Sequence, residues 1–264
     1  MKSVLQLAIA LLASLLLLQK SANGEEPNIR SLKIKNPTHV LFIGNSYLYY
    51  NDSVHNHVRR MVVHAGINLE NNLKFKSITI SGAALFDHSI ESYLDPKRLR
   101  VNKPFQVVIL QGGSALGWSK KRLPIFQKTV KSFAEKIRQA GGETALYMTP
   151  AYSEPHTRVN AGMTELLAQR YVAAGNLNQG LVIPVGLAFA RAYSERPDIK
   201  LHKSFDGSHP SLLGTYLAAT VVFTSLYDIS PVGNKYDYFG KIEKSDAIFL
   251  QKIALETVNG FYGR

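Results

Sequence analysis

From residue 38 onward, short apolar runs alternate with amphipathic segments of helical period, and this alternation is the strongest constraint on what the chain can fold into. The runs are 38–44, 73–80, 105–111, 144–149 and 180–185, each rich in Val, Ile, Leu or aromatics and each followed by a turn signal, which predicts five strands. Helices are predicted between and after them. In 52–65, Val54, Val58, Met61, Val62 and Ala65 share one face and Asp52 can cap the start. The segment 122–140 presents Ile125, Val130, Phe133, Ala134 and Ile137 and stops at Gly141-Gly142. Further helices are predicted over 159–174, 186–195, 210–226 (with Pro210 at the first helical position) and about 243–259. Strand and helix in alternation imply a parallel sheet covered on both faces. Ligands then bind outside the carboxyl ends of the strands. A chain of 264 residues with 45% hydrophobic and 19% charged content suits one such domain, spanning 38–264.

Residues 1–24 read as a secretory signal peptide. Lys2 supplies the charge, Val4–Leu18 the apolar core, and Ser21-Ala22-Asn23-Gly24 the small residues around a cut expected after Gly24. The alternative is an uncleaved anchor, but this apolar stretch falls short of the roughly 20 residues a span requires. The chain is therefore expected to be exported, to a periplasm or outside the cell. Residues 25–37 read as an exposed lead-in.

There is no cysteine, which excludes disulfides, a lipidated cysteine, a thiolate nucleophile and a cysteine zinc site. Net charge is +12, and loss of Lys2 and Lys20 with the leader leaves about +10. Such a surface attracts anions, acidic polysaccharide among them. The charges are scattered, with tight clusters only at Lys97-Arg98-Leu99-Arg100 and Lys120-Lys121-Arg122, so a solvated face accounts for them and no specific nucleic-acid partner is expected.

Function is to be sought just past the strands, at Gly44-Asn45-Ser46, Ser81-Gly82-Ala83, Gln111-Gly112-Gly113-Ser114 and Thr149-Pro150-Ala151-Tyr152. Ser46 ends the first strand and precedes a helix whose amides can face an anion. A serine hydroxyl becomes a nucleophile only when a base removes its proton, and the base is normally a histidine oriented by a carboxylate. Asp206-Gly207-Ser208-His209 puts both groups within one short turn. Read alone, Gly-Asn-Ser is a turn and Asp-x-x-His a helix cap. Together with the two glycine loops they place four polar segments on one edge.

In that order these segments resemble the four blocks of the SGNH, or GDSL-type, hydrolases, here in an exported Gly-Asn-Ser variant. The blocks are Ile43-Gly44-Asn45-Ser46, Ser81-Gly82-Ala83, Leu110-Gln111-Gly112-Gly113-Ser114 and Asp206-Gly207-Ser208-His209. The resemblance implies a flavodoxin-like three-layer α/β/α sandwich with a five-stranded parallel sheet. It implies Ser46 as nucleophile, His209 as base and Asp206 as its orienter. The backbone N–H groups of Ser46 and Gly82 would hold the oxyanion, and no cofactor or metal is called for. The substrate class is an acyl ester, on a small molecule or an acylated polysaccharide.

One block departs from the family. Gly113 stands where the family carries an asparagine donor, and loss of such a donor typically costs about 100- to 1000-fold in rate. Gln111 or the Gly113 N–H are the available substitutes, with Asn45 a weaker candidate. Tyr47, His88 and Tyr152 are expected around the pocket, with Tyr47, Tyr49 and Tyr50 also packing the helix entry. The loop 150–158 is expected to wall the site and Trp118 to lie near it. His55-x-His57 on a helix faces two ways and is not expected to bind metal. The alternatives to a secreted esterase are a binding protein without turnover and a polysaccharide O-acetyltransferase.

Overall fold

The computed structural model describes residues 25–67 and 72–264. The expected leader and its cleavage point lie outside the described residues.

Five strands form one sheet: β1 (His39–Gly44), β2 (Lys74–Thr79), β3 (Val107–Gln111), β4 (Glu143–Tyr147) and β5 (Leu181–Ile183). All neighbours run parallel, in the order β2-β1-β3-β4-β5. The chain steps outward from β1 to β2 and then returns past β1 to β3. The carboxyl ends of β1 and β3 therefore flank the point where the winding reverses, which is where such sheets form a crevice.

The pleat divides the core into two layers, because successive side chains point to opposite faces. Val40, Phe42, Val107, Ile109, Ala145 and Tyr147 face one layer. It is built with α1 (Ser46–Tyr49), α2 (Val54–His64), α6 (Val185–Glu195), α7 (Leu212–Tyr227) and α8 (Lys244–Tyr262). Leu41, Ile43, Val108, Leu110 and Leu146 face the other. There α4 (Arg122–Gln139) supplies Phe126, Val130, Phe133 and Ile137, and α5 (Met163–Asn178) supplies Leu167, Tyr171 and Ala174. The short α3 (Ile90–Leu94) closes the β2 side of this second layer with Ile90. This is the three-layer α/β/α sandwich expected from the sequence.

The strands fall where the apolar runs place them, while several helix starts move for local reasons. Asp52 does not cap α2. Asn51, Asp52 and Ser53 all have positive φ (53°, 69° and 65°), so the helix starts only at Val54 and Asp52 instead pairs with Arg60 at 2.7 Å. Helix α5 starts later than expected because Asn160 Oδ1 accepts the Gly162 N–H at 2.8 Å, folding 160–162 into a turn. Pro210 precedes α7 rather than opening it. Ser211 is the cap, its Oγ accepting the Gly214 N–H at 3.1 Å.

From Gly214 to Tyr227 every residue of α7 is buried, because α2, α6, α8 and the sheet enclose it. Two of its polar side chains are satisfied within the helix: Thr220 and Thr224 each donate to the carbonyl four residues back at 2.8 Å. Residues 25–37 are mostly exposed yet tied to the domain. Pro27, Leu32 and Pro37 are buried, Glu143 accepts the Lys33 and Ile34 N–H groups at 3.0 and 2.7 Å, and Tyr227 Oη donates to the Pro37 carbonyl at 2.7 Å. Among the described residues no helix is long and apolar enough to cross a membrane.

Burial drives the pKa of His55 and of His202 down to about 4. An unfolded histidine takes its proton near 6.5, so the unfolded chain gains protons that the fold refuses. The contribution of these two histidines to stability is therefore full above about pH 6.5, falls as pH drops towards 4, and levels off below that. The limiting slope is about 1.4 kcal/mol per pH unit for each such histidine. Urea unfolding between pH 7.5 and 4 is expected to follow this profile, with a shallower slope for His202→Gln.

Candidate active site

The turn after β1 is built around a buried glutamine. Gln111, at the end of β3, turns its side chain towards β1, where Oε1 accepts the Asn45 N–H at 2.8 Å and Nε2 donates to the Gly112 carbonyl. Gly44 has to be glycine for this reason, since a Cβ there would lie 2.4 Å from Gln111 Oε1. The Asn45 side chain completes the turn. Its Oδ1 accepts the Tyr47 N–H at 3.2 Å and its Nδ2 donates to the Ala83 carbonyl at 2.8 Å, tying the loop after β2 to the loop after β1. Ser46 is thereby held at the start of α1, largely buried, at the carboxyl edge of the sheet.

The turn at 206–209 brings the second half. Asp206 Oδ1 accepts the Ser208 and His209 N–H groups at 2.8 and 3.0 Å, which curls the turn. Its Oδ2 meets His209 Nδ1 at 2.5 Å, and His209 Nε2 meets Ser46 Oγ at 2.8 Å. Gly207 carries φ +61°, and a Cβ there would lie 2.0 Å from the Ser153 carbonyl oxygen. The turn therefore seats directly on the loop after β4, where Ser153 N–H donates to the Gly207 carbonyl at 2.8 Å. Burial pushes the Asp206 pKa up. The hydrogen bonds from the His209 ring and from the two backbone amides outweigh it and hold the carboxyl below its ordinary value, so it is charged beside the imidazole.

Side chains of α1 and the loop after it lock the two halves together. Tyr47 Oη bonds Ser208 Oγ at 2.7 Å, and its ring stacks on His209 with centroids 5.9 Å apart. Tyr50 packs on the same imidazole at 4.7 Å. Asn51 Nδ2 points its two hydrogens at three oxygens: Pro210 O at 3.0 Å, Ser211 O at 2.9 Å and Thr215 Oγ1 at 2.8 Å.

Ser46 and His209 open onto a cavity of about 510 Å³. Gly82, Gly113 and Ser114 line it on the polar side, and Leu85, Phe86, Leu116 and Phe126 on the apolar side. The backbone N–H groups of Ser46, Gly82 and Gly113 make no hydrogen bond to any described residue, whereas those of Asn45, Ala83 and Gly112 do. Gly82 has φ +69°, a conformation that favours glycine. Gly113 is extended (φ −79°, ψ 151°), and a Cβ there would meet nothing within 4 Å.

Not every sequence candidate lies at this cavity. Gln111 is buried, is bonded to backbone groups and does not line the cavity. His88 is turned inward, 5% exposed, with its ring edge-on to Tyr93, and it does not line the cavity. Tyr152 stacks on His156 and reaches the cavity only through its hydroxyl, which donates to Ser114 Oγ at 2.7 Å. His57 is a packing residue, bonded to the Asn51 carbonyl at 2.7 Å and to Tyr236 Oη at 3.0 Å. Ser114 and Ser208 lie in segments the sequence singled out, without a role assigned to either, whereas the contribution of Asn51 had no local signal in the sequence.

A parallel sheet in the order 2-1-3-4-5 with this serine-bearing turn at its switch point is the SGNH-hydrolase fold, and solved structures bear this out. A DUF4886 family protein from Bacteroides uniformis superposes with a TM-score of 0.67 at 18% identity, covering 83% of this chain and 93% of that one. A proposed SGNH hydrolase from Slackia heliotrinireducens gives 0.57 at 19% identity, over 72% and 99%. An acetylxylan esterase from Geobacillus stearothermophilus gives 0.55 at 18% identity, over 74% and 96%. No family model and no curated protein matches the sequence.

Asn51→Ala removes three hydrogen bonds that join the two halves. It is expected to lower the unfolding free energy by about 1–3 kcal/mol, read from the urea midpoint. An unchanged midpoint would show that the clamp does not hold.

Proposed function

We propose that this chain is a serine hydrolase that cleaves short acyl, chiefly acetyl, esters, with a carbohydrate alcohol as the leaving group. One observation carries this reading: the continuous line Asp206–His209–Ser46 ends beside three unengaged backbone N–H groups in a single cavity. The acetylxylan esterase among the structural neighbours supports the choice of acyl group and alcohol. Export is part of the proposal and is supported by the sequence of residues 1–24.

In the proposed reaction Ser46 Oγ attacks the ester carbonyl as its proton passes to His209 Nε2. The charge that develops on the carbonyl oxygen is received by the N–H groups of Ser46, Gly82 and Gly113. Ionised Asp206 stabilises the imidazolium and holds the proton on Nδ1. The tetrahedral intermediate collapses with cleavage of the C–O bond, and the leaving alcohol takes the proton from Nε2. Water then attacks the acyl-serine, losing a proton to His209, and the carboxylic acid departs as the bond to Ser46 Oγ breaks and Oγ takes that proton back. Tyr47, Ser208 and Asn51 position the base and touch no reacting atom.

Hydrolysis of 4-nitrophenyl acetate by the mature chain is expected to fall at least about 10³-fold in Ser46→Ala and in Asp206→Asn. A fluorophosphonate probe is expected to add to Ser46, as read by mass spectrometry. A folded protein with neither turnover nor label would favour a binding protein on this fold, the reading that the missing donor at Gly113 supports.

Because neutral His209 is the base while Asp206 is already ionised, kcat/KM is expected to rise tenfold per pH unit on the acid side and then level. A flat profile would remove His209 from that role. Gly113→Asn has room for its side chain and adds a donor, so it is expected to raise kcat, by up to about 100-fold. A fall in kcat would mean that the cavity uses Gly113 in another way.

A further inference from the structure

Leu85, Phe86, Leu116, Ile125 and Phe126 make much of the cavity wall apolar, with Asp87, Arg122 and Thr129 as polar side chains among them. Arg122, the first residue of α4, lines the same cavity as Ser46 and His209, and its guanidinium lies 5.7 Å from the centre of the Phe86 ring. Some arginines elsewhere are paired, Arg60 with Asp52, Arg191 with Glu195 and Glu256, Arg196 with Asp246, while Arg59, Arg100, Arg138 and Arg170 have no carboxylate partner among the described residues but do not line this cavity. Arg122 has no carboxylate within 4.0 Å among the described residues, and the first turn of α4 contains no acidic residue. Asp87 is the one carboxylate in the cavity lining, and its Oδ2 is taken by the Ala84 N–H at 2.8 Å.

Two further cations around the site are likewise held on aromatic faces and lack a carboxylate partner among the described residues. Arg158 lies 3.9 Å from the Trp118 ring centre, beside the 114–117 turn that lines the cavity. Lys203 lies 5.7 Å from the ring of Tyr50, which packs on His209. A guanidinium resting on a ring is held in place yet keeps its N–H edge free, and that edge matches a carboxylate with two parallel hydrogen bonds. Arg122 is exposed, but it lines the same cavity as Ser46 and His209 and is not ion-paired with Asp87, so its guanidinium is open to a ligand there.

We propose that Arg122 is the carboxylate-recognising residue of this cavity, so that the ester taken by the site bears an anionic group, with Arg158 and Lys203 making the surrounding field positive. The proposal rests on the hydrolase reading for its kinetics but not for binding. The carboxylate could sit on the acyl part or on the alcohol part of the substrate, and the test separates the two.

The acyl arm compares mono-4-nitrophenyl glutarate with 4-nitrophenyl acetate. The alcohol arm compares O-acetylated galacturonate oligomers with O-acetylated xylo-oligomers. In one arm the anionic ester is expected to win in kcat/KM by roughly tenfold at low salt, and 0.5 M NaCl is expected to erode that preference. Arg122→Gln should abolish the preference mainly through KM, and Arg122→Lys should keep part of it. No preference in either arm, or a preference that survives Arg122→Gln, overturns the proposal.

Calorimetry on Ser46→Ala protein gives a readout that needs no turnover. Glutarate or trigalacturonate is expected to bind it roughly tenfold more tightly than it binds Ser46→Ala/Arg122→Gln. Equal binding of both ligands to the two proteins also overturns the proposal. If no ester is hydrolysed but this difference is present, the hydrolase reading fails and the anion site stands.

Discussion

The contact on which the site depends is the 2.8 Å approach of His209 Nε2 to Ser46 Oγ, made between segments 163 residues apart in sequence. In the proposed reaction a distance of that kind would tolerate little error, because a displacement of about 1 Å in a reacting pair can cost two orders of magnitude in rate. Neither residue sits in the middle of a long element. Ser46 opens a four-residue helix and His209 ends a turn. The precision comes from Asn51, Tyr47 and Tyr50, which bond or pack directly onto the 208–215 segment. The positive φ values of Asn51, Asp52 and Ser53 belong to the same design, since they turn the chain back so that the Asn51 amide can reach across.

The opposite flank of the serine is held by a different device. Gln111 is a strand-end residue whose amide replaces a missing backbone partner for Asn45, and Gly44 makes room for it. Asn45 extends the tie to Ala83. The loops after β1, β2 and β3 thus form one hydrogen-bonded unit at the switch point of the sheet. Three of its N–H groups, those of Ser46, Gly82 and Gly113, are left facing the cavity. In the proposed reaction an anion formed there would meet donors already held in place, with little reorganisation required.

Much of this arrangement was legible in the sequence. The five apolar runs place the strands to within a residue or two, because buried parallel strands leave an unmistakable pattern. The segments that flank the cavity were legible for the same reason, since residues just past strand ends gather on one edge. Helix starts were less legible. Asp52, Pro210 and 159–162 all carry start signals, but the caps were decided by local bonds such as Asn160 to Gly162 and by the backbone reversal at 51–53. The 25–37 segment reads as an exposed lead-in, and what the sequence did not show is that Glu143 and Tyr227 bind its backbone.

By itself the sequence determined the layer order, the serine at the first strand end and the Asp-x-x-His turn, because each depends on local pattern or on spacing within a few residues. Tertiary structure alone decided which polar side chains share a cavity. Gln111 and His88 carry the same chemistry as site residues, but packing turned Gln111 onto backbone groups and His88 into the interior. Asn51 and Arg122 look like ordinary loop and helix residues, and packing brought one across to the histidine segment and the other into the cavity wall. The physical reason is range. Hydrophobic periodicity is averaged over whole elements and survives small shifts, whereas a hydrogen bond or an ion contact is made or lost within about 1 Å, between residues whose separation in sequence carries no information.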